Sequence, residues 1–147
     1  MKKNMIVWSF ILLLAGCLRF GEDVELSGED VNSDILAKVT KLTGVVFPEG
    51  TKGKNYLYFG SGIDDALAIK VSIPKEKKEE FLMNEIFKLG MNEEPYIQLG
   101  KENDWWKLES LADPVHTLYS FPNGNGIECS VGEESGETIV YLTWITV

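Results

Sequence analysis

The chain has 147 residues, 44% hydrophobic and 25% charged, a balance that suits one globular domain and excludes a wholly disordered chain. Its formal net charge is −9, from 23 acidic against 14 basic residues, which disfavours nucleic-acid binding because an acidic surface repels a phosphate backbone. The same charge opposes lying flat on anionic lipid headgroups, and it suits solubility or a basic partner.

Lys2 and Lys3 precede an apolar run from Met5 to Leu14, broken only by Ser9 and followed by the small residues Ala15 and Gly16. This is the layout of an export signal. The run is too short to span a bilayer, and Arg19 prevents its extension to Phe20. Leu14-Ala15-Gly16-Cys17 resembles the lipobox of bacterial lipoproteins: an aliphatic residue, a small residue, Gly or Ala, then cysteine. The resemblance implies that the Cys17 thiol takes a diacylglyceryl group by thioether linkage. It implies cleavage between Gly16 and Cys17 by a dedicated signal peptidase, with acylation of the freed amine in many bacteria. Each buried methylene contributes about 0.8 kcal/mol, so two or three chains anchor stably where one does not. Leu18, in place of Asp, resembles lipoproteins sent on to an outer membrane when the host is diderm. The alternative is ordinary secretion, with a cysteine at this place by chance. Loss of Lys2 and Lys3 with the leader takes the net charge from −9 to −11.

The expected organisation is a signal peptide over 1–16, a lipidated cysteine and flexible acidic tether over 17–32, and a single domain over 33–147. The stretch from Leu18 to Asn32 is polar, acidic and glycine-containing, and its reach as a coil is roughly 20 Å. Asn32-Ser33-Asp34 supplies N-cap chemistry for a helix carrying Ile35, Leu36, Val39 and Leu42, with Gly44 as its stop. Val45-Val46-Phe47 reads as a short strand closed by Pro48, and Glu49-Gly50-Thr51 with Gly53 as a turn. A hairpin follows: Tyr56 to Phe59, a turn at Gly60-Ser61-Gly62, then Ala66 to Ile73. In the second strand Leu67, Ile69, Val71 and Ile73 share one face and Ala66, Ala68, Lys70 and Ser72 the other.

Pro74 opens a helix over Lys75 to Leu89, with Leu82, Ile86 and Leu89 on one side and Gly90 at its end. Tyr96 to Leu99 reads as a short strand, and Trp105 to Leu111 as a strand or helical turn broken by Asp113-Pro114. Asn123-Gly124-Asn125-Gly126 is a turn. Ile127 to Val131 pairs with Thr138 to Val147 across a loop of Glu133, Glu134, Ser135 and Gly136. The last strand is apolar on both faces, as a central strand would be. The fold class expected is α+β: a mainly antiparallel sheet with about two α-helices packed on one face.

The residues offer little catalytic chemistry. His116 is the sole histidine, and no CxxC or HExxH pattern exists, so no metal site is assigned. A hydrolase built on acidic residues or on His116 needs a nucleophile. Ser61 lacks the Gly-x-Ser-x-Gly elbow and sits in turn chemistry instead. Asp64-Asp65 and Glu133-Glu134 with Glu137 could gather a calcium ion, although no EF-hand spacing appears. Cys129 lies in an alternating apolar pattern and reads as a small buried hydrophobe. With Cys17 lipidated it has no partner in the chain.

The aromatics Trp105, Trp106 and Tyr96 form the candidate binding group, because an exposed indole could stack on a sugar or anchor a protein partner. The competing expectation buries both tryptophans, one in the main core and one under a loop. Trp144, on the last strand, reads as core. The mature region also loosely resembles small lipoprotein domains without assigned activity. The cues are Leu42-Thr43-Gly44-Val45, Phe47-Pro48, Ile73-Pro74 and Tyr141-Leu142-Thr143-Trp144. The function expected is a membrane-anchored envelope lipoprotein that binds a protein or small ligand, with no cofactor. The alternatives are the minor hydrolase and a structural subunit of an envelope complex.

Overall fold

The computed structural model describes residues 23–61, 64–91 and 99–146. The expected cleavage and lipidation residues Gly16 and Cys17 lie outside the described residues, and so does Tyr96. Among the described residues no helix is long and apolar enough to cross a membrane.

Six strands form one antiparallel sheet: β1 (Val24–Ser27), β2 (Lys52–Gly60), β3 (Asp65–Ile73), β4 (Ala112–Ser120), β5 (Gly126–Glu134) and β6 (Glu137–Ile145). Their spatial order is β1-β2-β3-β6-β5-β4. The α+β class therefore holds. The central place of β6 explains its apolar character on both faces: Ile139 to Trp144 is buried without interruption.

Among the described residues the first strand begins at Val24, inside the stretch expected to be a tether over 17–32. Val24 pairs with Tyr58 and Ser27 with Asn55. The alternation Val24-Glu25-Leu26-Ser27 puts the two apolar side chains toward the core and the polar ones toward water. A single helical turn over Gly28–Asp30 then brings Val31, 3% exposed, down onto β2. Gly53 permits that approach, since a Cβ there would lie 2.0 Å from the Val31 carbonyl oxygen. The β2 register also shifts beside Gly53, so this glycine marks a bulge inside the strand rather than a turn before it.

Helix α1 (Ser33–Thr43) has the expected ends. The Asn32 side chain accepts hydrogen bonds from the backbone N–H groups of Asp34 and Ile35, and Gly44 closes the helix at φ 75°. The segment 45–47 is not a strand. Asn84 occupies its backbone instead, accepting from the Val46 N–H at 2.7 Å and donating to the Val46 carbonyl at 3.0 Å. The same residue breaks the long helix expected over 75–89. What forms is a helical turn at Lys75–Lys77, the short helix α2 (Lys78–Leu82) and a second turn at Glu85–Phe87. Asn84 is extended between them, at ψ 143°.

The β5–β6 connection is tighter than expected. Glu133 and Glu134 belong to the strand, and only Ser135 and Gly136 turn the chain, both at positive φ (52° and 83°). This suits a two-residue hairpin turn matched to strand twist. Asp113 and Pro114 lie within β4, where the pairing with β5 is irregular and Asp113 adopts φ 46°.

Alternation along the strands separates two apolar layers. Leu67, Ile69 and Val71 of β3, Ile127, Cys129 and Val131 of β5, and Val140, Leu142 and Trp144 of β6 form one cluster with Val39 of α1 and Phe81 of α2. The opposite set comprises Leu57, Ala68, Ile139 and Tyr141, packed with Trp106 and Leu111.

Candidate functional site

The second layer holds the adjacent tryptophans Trp105 and Trp106 with Tyr141, and beside them the largely buried Lys70–Glu134 pair. Its floor follows from the β3 alternation, which places Ala68, Lys70 and Ser72 opposite the main-core residues, next to Thr143, Tyr141 and Ile139 of β6. Its cover is the segment from Leu99 to Leu111, which contains turns and one short helical turn at Leu108–Ser110, not a strand. Gly100, at φ 83°, lets this cover sit close: a Cβ there would be 2.8 Å from Ala68 Cβ and 3.4 Å from the Trp106 ring.

Trp106 is the keystone of the cover. Its ring meets Tyr141 edge-on at 5.0 Å between centroids and Trp105 at 5.6 Å. Trp106 is 8% exposed, whereas Trp105 is half-buried; both belong to the second layer and neither enters the main core. Trp144 lies in the main core. The Trp106 Nε1 and Thr143 Oγ1 atoms are buried with no hydrogen-bond partner among the described residues.

Beside Tyr141 lies a charged cluster. Lys70 Nζ approaches Glu134 Oε2 at 2.6 Å, and each side chain is 14% exposed. The Tyr141 hydroxyl donates to Glu134 Oε1 at 3.0 Å, the Ser110 hydroxyl donates to the same oxygen, and Lys70 Nζ sits 5.0 Å from the centre of the Tyr141 ring. Burial pushes the Glu134 carboxyl up, but the hydrogen bonds from Lys70, Ser110 and Tyr141 outweigh it and hold the group below its ordinary value. For Lys70 burial acts to lower the value, and Glu134 with Tyr141 raises it above the ordinary one. Both partners are therefore held charged. A second pair, Lys101 with Glu128 at 3.0 Å, ties the cover to β5 further along.

The catalytic options weighed from sequence are spread across this framework. His116 is exposed on the edge strand β4, and its Nδ1 shares a 2.7 Å hydrogen bond with Ser130 Oγ of β5. Ser61 follows β2, four strands away in the sheet, and its Oγ lies 2.7 Å from both the N–H and the carbonyl oxygen of Asp64. The acidic residues 133, 134 and 137 do not converge: Glu133 accepts from Thr138, Glu134 holds Lys70, and Glu137 pairs with Lys54 at 2.9 Å. Among the described residues no group of three metal-ligating side chains comes together. Cys129 is buried in the main core, where desolvation pushes its thiol far above the ordinary value and keeps it protonated.

The Lys70–Glu134–Tyr141 cluster escaped the sequence reading. A signal for it existed: Lys70 is the one charge in the apolar run from Ala66 to Ile73. Its partner lies 64 positions further on, and only the β3-β6-β5 strand order brings the two together. Comparisons with known protein families, with characterised proteins and with solved structures found no match.

Proposed function

We propose that this chain is a bacterial envelope lipoprotein, exported, cleaved before Cys17 and held on a membrane by lipid on that cysteine, with a domain that binds a partner rather than catalyses. The observation that carries this reading is the lipobox Leu14-Ala15-Gly16-Cys17 at the end of an apolar run behind Lys2 and Lys3. The destination is the outer membrane where the host is diderm. The binding role is supported by how the chain uses its reactive side chains. His116 bonds a strand neighbour, and the carboxylates of 133, 134 and 137 each hold a structural partner. Of the two described candidate aromatics, the half-buried Trp105 ring, not the buried Trp106, is the one left partly open to a protein or small ligand.

The layered architecture belongs to the same reading: α1 and α2 cover one face of the sheet and leave the other to the 99–111 segment. Its support is that Val39 and Phe81 join the cluster of Leu67, Val140 and Leu142. Trp106 joins the cluster of Ala68 and Tyr141.

Intact-mass spectrometry of the membrane fraction tests the anchor. The expected product begins at Cys17, carries diacylglycerol or a greater acyl mass, and is lost from the membrane in Cys17→Ser. An unlipidated soluble wild-type product overturns the reading. Crosslinking in intact cells then identifies what the domain touches.

A further inference from the structure

The point at which the fold begins sets how far the domain can turn about its anchor. β1 enters the sheet at Val24, so only six residues separate it from Cys17. Fully extended, that seven-step connection reaches at most about 25 Å. As a coil its mean reach is about 15 Å.

The register places Val24 near one end of the sheet. That end gathers Val24 with Tyr58, Gly60 with Asp65, the close of β6 at Ile145, and the β4–β5 turn between Ser120 and Gly126. The opposite end carries Lys52 beside Ser72, Ile73 beside Thr138, and the Ser135-Gly136 turn. Val24 stands level with Trp144 of β6, through Tyr58 and Leu67. From there to Glu137 is seven residues, or about 23 Å along the strand. Turning the domain upside down would lift Val24 by that distance above the bilayer. The connection would then be drawn out almost fully.

We propose that the end of the sheet carrying Val24, the Gly60–Asp65 pair and the 121–125 turn faces the bilayer, with the 135–136 turn and Glu49 pointing away. The proposal rests on the lipid anchor at Cys17. It depends on β1 specifically: a tether running to Asn32 would have reached more than 50 Å when extended, enough for any orientation. The exposed carboxylates of Asp23, Glu25 and Asp64 at this end are repelled by anionic headgroups, so it is on a zwitterionic bilayer that the short leash alone sets the orientation.

The test uses the full lipidated chain in phosphatidylcholine vesicles containing a headgroup-labelled acceptor lipid. A donor dye is placed on Asn123→Cys or on Glu49→Cys. Both positions are exposed, whereas Cys129 is buried and protonated and so is not labelled. Energy transfer from position 123 is expected to be about twofold more efficient than from position 49, given a separation of about 23 Å along the strands. Inserting about sixteen Gly and Ser residues after Asp23 raises the mean reach to about 26 Å and is expected to abolish the difference. Equal transfer from the two positions in the uninserted chain, or stronger transfer from position 49, overturns the orientation and leaves the anchor standing. No transfer from either, with the protein recovered free of vesicles, overturns the anchor and the orientation together.

Discussion

Lys70 and Glu134 illustrate how a buried ion pair is made tolerable at the level of single residues. Each has been taken largely out of water, and each finds further partners in Tyr141, with Ser110 added on the acid. Removing one partner leaves the other charged and poorly solvated. Lys70→Met is therefore expected to cost about 3 kcal/mol in urea unfolding at neutral pH. Combining it with Glu134→Gln should cost less than the sum of the single changes, which a double-mutant cycle reads directly. The pH dependence has a fixed sign. Glu134 is held below its unfolded value, so its contribution is complete above that value and is lost as pH falls through the lower folded one. Lys70 is held above its unfolded value, so its contribution is complete below that value and lost as alkaline pH passes the higher folded one. The stability gap between wild type and Lys70→Met should therefore be widest at neutral pH and narrow toward both extremes. A gap that grows on acidification would contradict this account.

At the scale of elements, two local devices decide where structure starts and how closely it packs. Asn32 satisfies two otherwise unbonded N–H groups at the head of α1, so Asn32→Ala should cost about 1 kcal/mol, measured by the urea midpoint. Gly53 acts through space. Its missing side chain admits the Val31 carbonyl and the Val31 side chain, with a hypothetical Cβ only 2.0 Å and 2.4 Å from them. Gly53→Ala should push the 28–31 turn off β2 and cost about 2–3 kcal/mol. Faster amide exchange at Val24 to Val31 should accompany the loss. The elements legible in the sequence share one property: their signals are local. The caps of α1, the alternation of β3 and the Asn123-Gly124 turn are each written within a few residues. The elements misread depend on distant partners. Val24-Glu25-Leu26-Ser27 is too short to declare itself without β2 beside it, and Asn84 interrupts a helix-compatible pattern to bond Val46, 38 positions away. The candidate site divides in the same way. Two adjacent tryptophans announce an aromatic cluster, but which ring is covered is decided by Ala68 and Tyr141 beneath them.

For the molecule as a whole, the consequence of β1 is that the boundary between the proposed anchor and the domain carries stability as well as reach. Two chains make the point: one beginning at Val24 and one beginning at Ser33, which would be the intact domain if 17–32 were only a tether. The shorter chain loses the Asn32 cap of α1 and Val31, almost wholly buried, together with the half-buried Val24 and Leu26. Full burial of one such side chain contributes about 1.5–3 kcal/mol, so the combined loss is expected to be about 3–5 kcal/mol. Against a typical total of about 5–15 kcal/mol this is a large share. It also strips the outer edge of β2 of its partner at Asn55 to Tyr58, exposing unpaired backbone beside Leu57 and Tyr56. The chain beginning at Ser33 should therefore unfold at a clearly lower urea concentration and elute from size exclusion as dimers or larger species. The chain beginning at Val24 should be monomeric and keep the stability of a chain beginning at Cys17. If the two unfold at the same midpoint and elute alike, β1 contributes nothing to the fold. Residues 24–31 would then belong to the proposed tether, and the long leash that follows would free the proposed lipid-anchored domain to adopt any orientation.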